Sequence, residues 1–344
     1  MSSKWRFGII SAALIVAGGI AFAWFAVGPS GAKLPLQTLA DVPLTGGASR
    51  LDYESLDDAA NRLYIAHLGA NSVIVFDTQQ NRVVATIPDT ASVRGVLVVP
   101  ELHRVYAAAQ GTQEVVVIDE RTDGIVARIK VGDVDGLAYD PQTRQVFVSD
   151  EGGERDAVID TQTNRLAGSV ALGGQAGNTQ YDDSTRHVLV AVQTRNDVAE
   201  IDPRTRTIVR RFPLPGCIHG HGLAIDAGYR YAYVACQFNS VVVRLNLATG
   251  QVDARSTVGI GADVLAIDFG LNRLYIASES GIVTVFDLKN GGFSKLAQAY
   301  FAPNAHVVAV GARSHRVYFP IADLNGHPTL RIALPTFSEG KPNA

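Results

Sequence analysis

Arg62-Leu-Tyr-Ile-Ala-His-Leu-Gly-Ala-Asn-Ser-Val-Ile-Val-Phe-Asp-Thr78, continued by Arg82-Val-Val-Ala-Thr-Ile-Pro88, carries the pattern that decides the fold. Short β-branched and aromatic runs alternate with Gly, Asn and Asp, the chemistry of short strands joined by tight turns. The unit recurs along the chain, at Arg62-Leu-Tyr64, Arg104-Val-Tyr106, Arg144-Gln-Val-Phe147, Arg186-His-Val-Leu189, Arg230-Tyr-Ala-Tyr233, Arg273-Leu-Tyr275 and Arg316-Val-Tyr318. The last residues of these units lie 42, 41, 42, 44, 42 and 43 apart. A second landmark, Asp77, Asp119, Asp160, Asp202, Asn246 and Asp287, follows thirteen residues later in five cases and twelve in the sixth.

Each period divides into four strands, for example Gly95 to Val99, Val105 to Ala109, Glu114 to Ile118 and Ile125 to Ile129. A four-stranded repeat near 42 residues is a propeller blade, so seven such units predict an all-β, seven-bladed β-propeller over residues 33–344. The seventh unit holds only three strands of its own, around Val307 to Val310, Val317 to Pro320 and Leu330 to Leu334. The segment around 36–44, with Thr38-Leu-Ala-Asp-Val42-Pro43, matches the outermost-strand pattern Ala85-Thr-Ile87-Pro88. It supplies the missing strand, closing the ring and removing an open edge.

These stretches resemble the repeat of the YVTN-type (YncE-like) β-propeller family of bacterial extracytoplasmic proteins. The resemblance covers roughly residues 38–334 and implies a fold and a compartment more than a reaction. The chain departs from that repeat where Asn usually follows Tyr-Val-Ala: His67, Ala109, Asp150, Val192, Cys236, Ser278 and Ile321 stand there instead.

Beyond Lys4 and Arg6, residues 7–28 carry no charge, a length that spans a bilayer as a helix. Positive residues stay on the cytoplasmic side, so residues 1–32 read as an inner-membrane anchor that places the propeller on the periplasmic or extracellular side. A signal peptide cleaved near Ala32, releasing a secreted domain, is the alternative. Without Lys4 and Arg6, 28 basic residues face 33 acidic ones, a balance that argues against nucleic acid as a partner. The partners that fit are the membrane through the N-terminal segment, an envelope protein, a glycan or a small-molecule ligand.

The register sorts polar residues by face. Innermost strands begin, and second strands end, on the same face, so the starts Asp52, Arg94, Asp135, Gly177, His221, Asp263 and His306 collect at one mouth of the central channel. His67, Asp150 and Cys236 form a ring further out, and His219 sits in the adjoining loop. His103, His187 and His315 fall in far-face turns and His327 in a loop of blade seven, where they read as solvated.

The mouth supports three chemistries. A hydrated polar funnel needs only mutual hydrogen bonding. A metal site would draw on His221, His306, Asp52 and Asp263, with Asp135 a further carboxylate, and would suit Zn or Cu. Acid–base chemistry without metal would use His221 or His306 as base beside Asp52 or Asp263, with Arg94 facing developing negative charge. The insertion Gly216-Cys217-Ile-His219-Gly-His221 adds a Cys and two His to blade five. Cys217 and Cys236 fit a disulfide in an oxidising compartment, with a Cys/His metal site as the sharper alternative. The acidic run Asp150-Glu-Gly-Gly-Glu154-Arg-Asp156 lacks calcium-loop spacing and reads as a solvated turn. No phosphate-cradling loop, zinc-protease signature or nucleophile elbow occurs. Two functions fit: a binding or scaffold module with a His/Asp mouth, or a metal-dependent hydrolase, lyase or oxidoreductase acting there. No catalytic residue is assignable.

Overall fold

The computed structural model describes residues 33–337. Among them, strands form seven four-stranded antiparallel sheets, the blades of a closed propeller. The innermost strands of blades one to seven are Glu54–Asp57, Val93–Val99, Val134–Asp140, Ala176–Asp182, Gly220–Asp226, Ala262–Asp268 and Ala309–Val310. The second strands are Arg62–His67, Arg104–Ala109, Gln145–Asp150, His187–Val192, Tyr231–Cys236, Arg273–Ser278 and Val317–Leu324. No helix of the described residues is long and apolar enough to cross a membrane. The apolar segment 7–28 and the cleavage position near Ala32 lie outside the described residues.

The two landmarks of the repeat have separate physical jobs. The aromatic rings Tyr64, Tyr106, Phe147, Tyr233, Tyr275 and Tyr318 are at most 2% exposed, wedged between blades. Burial of each ring contributes about 2 to 3 kcal/mol. The Asp or Asn landmark ends the third strand and caps the turn that follows. Asp77 Oδ1 accepts the backbone N–H of Gln79 at 2.9 Å and of Gln80 at 2.7 Å. Asp119, Asp160 and Asn246 do the same in their blades. A side-chain oxygen satisfying two turn donors explains why the position is kept acidic or amidic. The repeat Arg joins blades: Arg62 donates to Asp123 at 2.6 Å and to the Glu120 carbonyl at 3.1 Å, both in blade two.

Blade seven is closed by the two chain ends. Leu36–Pro43 pairs antiparallel with His327–Pro335, from Leu36 opposite Pro335 to Pro43 opposite Thr329. Arg331 grips Asp41 with two bonds of 2.7 Å, and Arg273 of blade six donates to the carbonyls of Pro35 and Thr336. Leu36–Pro43 thus covers the edge that His327–Pro335 would otherwise expose.

Candidate functional site

A backbone irregularity aims the mouth residues. In blades two to six the innermost strand slips register just past its first residue, between Val93 and Val96, Val134 and Leu137, Ala176 and Thr179, Gly220 and Leu223, and Ala262 and Leu265. A bulge at this point re-aims the side chain beside it, here Arg94, Asp135, His221 and Asp263. Two of the bulges require glycine for close approach. A Cβ at Gly95 would stand 2.0 Å from the Asp135 carbonyl, and one at Gly222 only 1.8 Å from that of Asp263.

The result is a cavity of about 360 Å³ at one mouth of the channel. Asp52, Arg94, Asp135, His219, His221 and Asp263 line it, joined by Arg50, Tyr53, Leu68, Glu151, Gln193 and Gln237. His67 and His306 do not line this cavity. His67 is fully buried, its ring hydrogen-bonded to Ser49 Oγ at 2.9 Å and to the Thr45 carbonyl at 3.1 Å, under the segment that leads into blade one. His306 is 1% exposed and lies behind the mouth, between blades six and seven.

Ionisable groups in the cavity are dense and buried. Asp52, Asp135 and Asp263 are 5%, 4% and 3% exposed. Burial, with Glu279 and Asp135 adding repulsion, pushes the Asp263 carboxyl well above the usual carboxylate range. Burial also lifts Asp52 well above that range, outweighing Arg50, and raises Asp135 against the pull of His221 and Arg94. Arg50 Nε reaches Asp52 at 3.4 Å and its Nη2 reaches Glu279 at 2.8 Å. Arg94 pairs with Glu151 at 3.1 Å, and Gln193 donates to the other Glu151 oxygen at 3.0 Å. His221 Nε2 sits 3.0 Å from the Tyr53 hydroxyl, 3.4 Å from Asp263 Oδ1 and 3.8 Å from Asp135 Oδ2. The Tyr53 phenol, buried and surrounded by Asp135, Asp263 and Asp52, is held well above its ordinary value.

One covalent bond fixes the loop that carries two of these histidines. Cys217 and Cys236 form a disulfide, with Cα atoms 5.3 Å apart, and no free cysteine remains among the described residues. The thiolate reading of a Cys/His metal site is thereby excluded. His219 adopts a left-handed φ of +60°, its N–H bonded to Asn196 Oδ1 at 2.7 Å, and its ring stacks on Phe238 with centroids 4.0 Å apart. Burial, then the neighbouring His221, holds the His219 imidazole below its ordinary value. A disulfide suits a non-reducing, extracytoplasmic setting.

Metal ligation sorts differently from the set expected. Among the described residues, one ligand atom each of Asp263, Glu279 and His306 lie within 4.8 Å of one another. Asp52 and His221 stand outside that group, although His221 touches Asp263. This His/Asp/Glu cluster could hold a metal.

Two further sequence readings are corrected. The run 150–156 is a solvated turn only at its centre: residues 151–154 form the turn, with Gly152, Gly153 and Glu154 exposed, whereas Asp150 is 2% exposed and accepts from the backbone N–H of Asp133 and from Arg155, Glu151 faces the cavity, and Asp156 is fully buried. Nor are two of the far-face histidines merely solvated. His187 Nδ1 lies 2.7 Å from Glu200 and His315 Nδ1 2.9 Å from Asp268, whereas His103 is exposed.

The site residues missed by sequence reading share a register. Leu68, Glu151, Gln193, Gln237 and Glu279 each immediately follow the end of a second strand, and four of the five are Gln or Glu. That recurrence is visible in the repeat once the position after the strand is counted as part of the mouth. Arg50 and Tyr53 flank Asp52 and carry no repeat signal.

No protein-family profile and no curated protein sequence matches the chain. Solved structures do. Hydrazine synthase of Kuenenia stuttgartiensis aligns with a TM-score of 0.71 at 16% identity, over 85% of this chain and 96% of that one. A streptogramin B lyase aligns at 0.72 and 11% identity, over 86% and 96%. Virginiamycin B lyase from Staphylococcus aureus aligns at 0.72 and 12% identity, over 87% and 99%. At these identities what is shared is the seven-bladed propeller.

Proposed function

We propose that this chain is an extracytoplasmic binding propeller of the YVTN type, held at the membrane by residues 7–28, whose mouth takes a small cationic ligand. One observation carries the reading: Asp52, Asp135 and Asp263 are buried around a single cavity in which Arg50 and Arg94 are the only Lys or Arg side chains. Counting Glu151, four carboxylates face two guanidinium groups. Buried carboxylates that outnumber their cations favour an incoming positive charge, which relieves their repulsion and repays desolvation. Leu68 on the wall and Phe238 stacked on His219 offer apolar surface beside the charged floor.

The test is a thermal-shift screen of the full-length chain with diamines, quaternary ammonium compounds and amino acid amides against neutral isosteres. Cations should raise the melting temperature and neutral analogues should not, and Asp135→Asn should remove the effect. Equal response to neutral and cationic compounds would sink the proposal.

A second reading, catalysis at the same mouth, is favoured by the 3.0 Å contact of the Tyr53 hydroxyl with His221 Nε2. A phenol and an imidazole in hydrogen-bond contact can exchange a proton with a bound substrate. Enzymes named as lyases and as a synthase share the fold, so a propeller of this shape can carry chemistry. Turnover that disappears with both Tyr53→Phe and His221→Gln, while ligand binding persists, would favour this reading over simple binding.

A further inference from the structure

We propose that Asp263, Glu279 and His306 form a site for a divalent first-row transition metal, such as Zn(II) or Mn(II), at the junction of blades six and seven, and that Arg50 competes with the metal for Glu279. The inference does not rest on the cationic ligand proposed above, although the two sites share Asp263.

His306 carries the argument. Its Nδ1–H donates to the Asn304 carbonyl at 2.9 Å, which leaves the lone pair on Nε2. The residue is 1% exposed and Nε2 has no hydrogen-bond partner. Buried acceptors without partners are rare in folded proteins and point to a ligand. This one faces Glu279 Oε1 at 3.9 Å. Asp263, 3% exposed, likewise has an Oδ1 without a hydrogen bond.

The three donor atoms lie within 4.8 Å of one another. Metal bonds of about 2.0 to 2.2 Å place donors roughly 3.3 Å apart, so shifts of no more than about 1.5 Å between donors close the set. One imidazole with two carboxylates suits borderline ions better than Ca²⁺ or Mg²⁺, which prefer oxygen alone.

The outer shell is also in place. Asn304 orients two of the ligands at once, its carbonyl accepting from His306 and its amide donating to Glu279 Oε2. Such partners fix tautomer and orientation at metal centres. Arg50 Nη2 is bonded to Glu279 Oε1 at 2.8 Å, and its side chain is 41% exposed. It can therefore leave the carboxylate for solvent when a divalent ion arrives.

The test is calorimetric titration of Zn(II) and of Mn(II) into full-length protein stripped with a chelator. One ion should bind per chain, and His306→Gln and Glu279→Gln should each weaken binding by at least about 100-fold, since losing a ligand costs no less than losing an outer-shell partner. Arg50→Ala should tighten binding about 10-fold, equivalent to removing one competing charge contact. A gain of affinity cannot come from misfolding, and His67→Gln should change nothing. Absence of metal binding in the wild type, binding indifferent to His306→Gln, or an Arg50→Ala variant that binds no tighter would each overturn the site. A chain that binds cationic ligands yet no metal loses only this inference. The converse result removes only the ligand reading.

Discussion

The hydroxyl of Tyr53, on the strand entrance of blade one, meets Nε2 of His221 of blade five at 3.0 Å across the channel. The contact ties opposite sides of the ring and closes the floor of the mouth cavity. Tyr53→Phe should lower stability by about 1 kcal/mol, the net worth of one hydrogen bond. In a double-mutant cycle with His221→Gln, urea denaturation should give a coupling energy of at least about 0.5 kcal/mol. Strict additivity would show that the two groups do not interact in solution.

Binding of a cationic ligand should depend on pH above the range where ordinary carboxylates titrate, near 4. The carboxyls of Asp52, Asp135 and Asp263 are all raised, so protons must leave before a cation profits from them. Affinity therefore increases with pH through that raised window, and binding releases protons. Calorimetry in buffers of different ionisation heat measures the release directly. A flat profile above pH 5 would mean that the carboxylates are already charged.

Asp156 makes a stability prediction of definite sign. It is fully buried, its Oδ1 lacks a partner, and burial raises its carboxyl to about 8 despite hydrogen bonds from Thr179 and the backbone. The folded state then holds a proton that the unfolded chain releases near pH 4. Stability accordingly falls as pH rises from about 4 to about 8. Asp156→Asn should flatten this slope and be more stable than wild type by a few kcal/mol at pH 8. Urea melts across that range decide it.

Breaking the Cys217–Cys236 bond should act on both stability and site. A loop of this size loses about 3 kcal/mol when its disulfide is removed. The freed segment carries His219 and His221, so ligand affinity should fall more than in a variant of equal instability elsewhere. Cys217→Ala paired with Cys236→Ala, compared with Val116→Ala in the core of blade two as a stability control, separates the two effects. Equal affinity in both would make the disulfide purely structural.

The blades were legible because both repeat landmarks answer local needs that recur in every unit. Tyr64 and its equivalents wedge between sheets, and Asp77 and its equivalents cap a turn. The mouth was legible only where a residue occupies a repeat position, as Asp135 and His221 do. Glu279 and Glu151 sit one residue beyond strands whose ends look like plain turns, so their turn toward the channel could not be read locally. His315 meets Asp268 across a blade boundary, a contact that no spacing within one repeat encodes. His67 shares a register with Asp150, yet the segment carrying Thr45 and Ser49 folds over it. In blade one the covering segment arrives from the seam, whereas over Asp150 it is the loop that carries Asp133.

The seam also sets a direction. Leu36 enters beside Pro335, and Arg273, at the turn opposite the mouth, holds the carbonyls of Pro35 and Thr336. The polypeptide thus joins the ring at the rim of its plain side. The charged cavity opens on the opposite face, away from the point of entry.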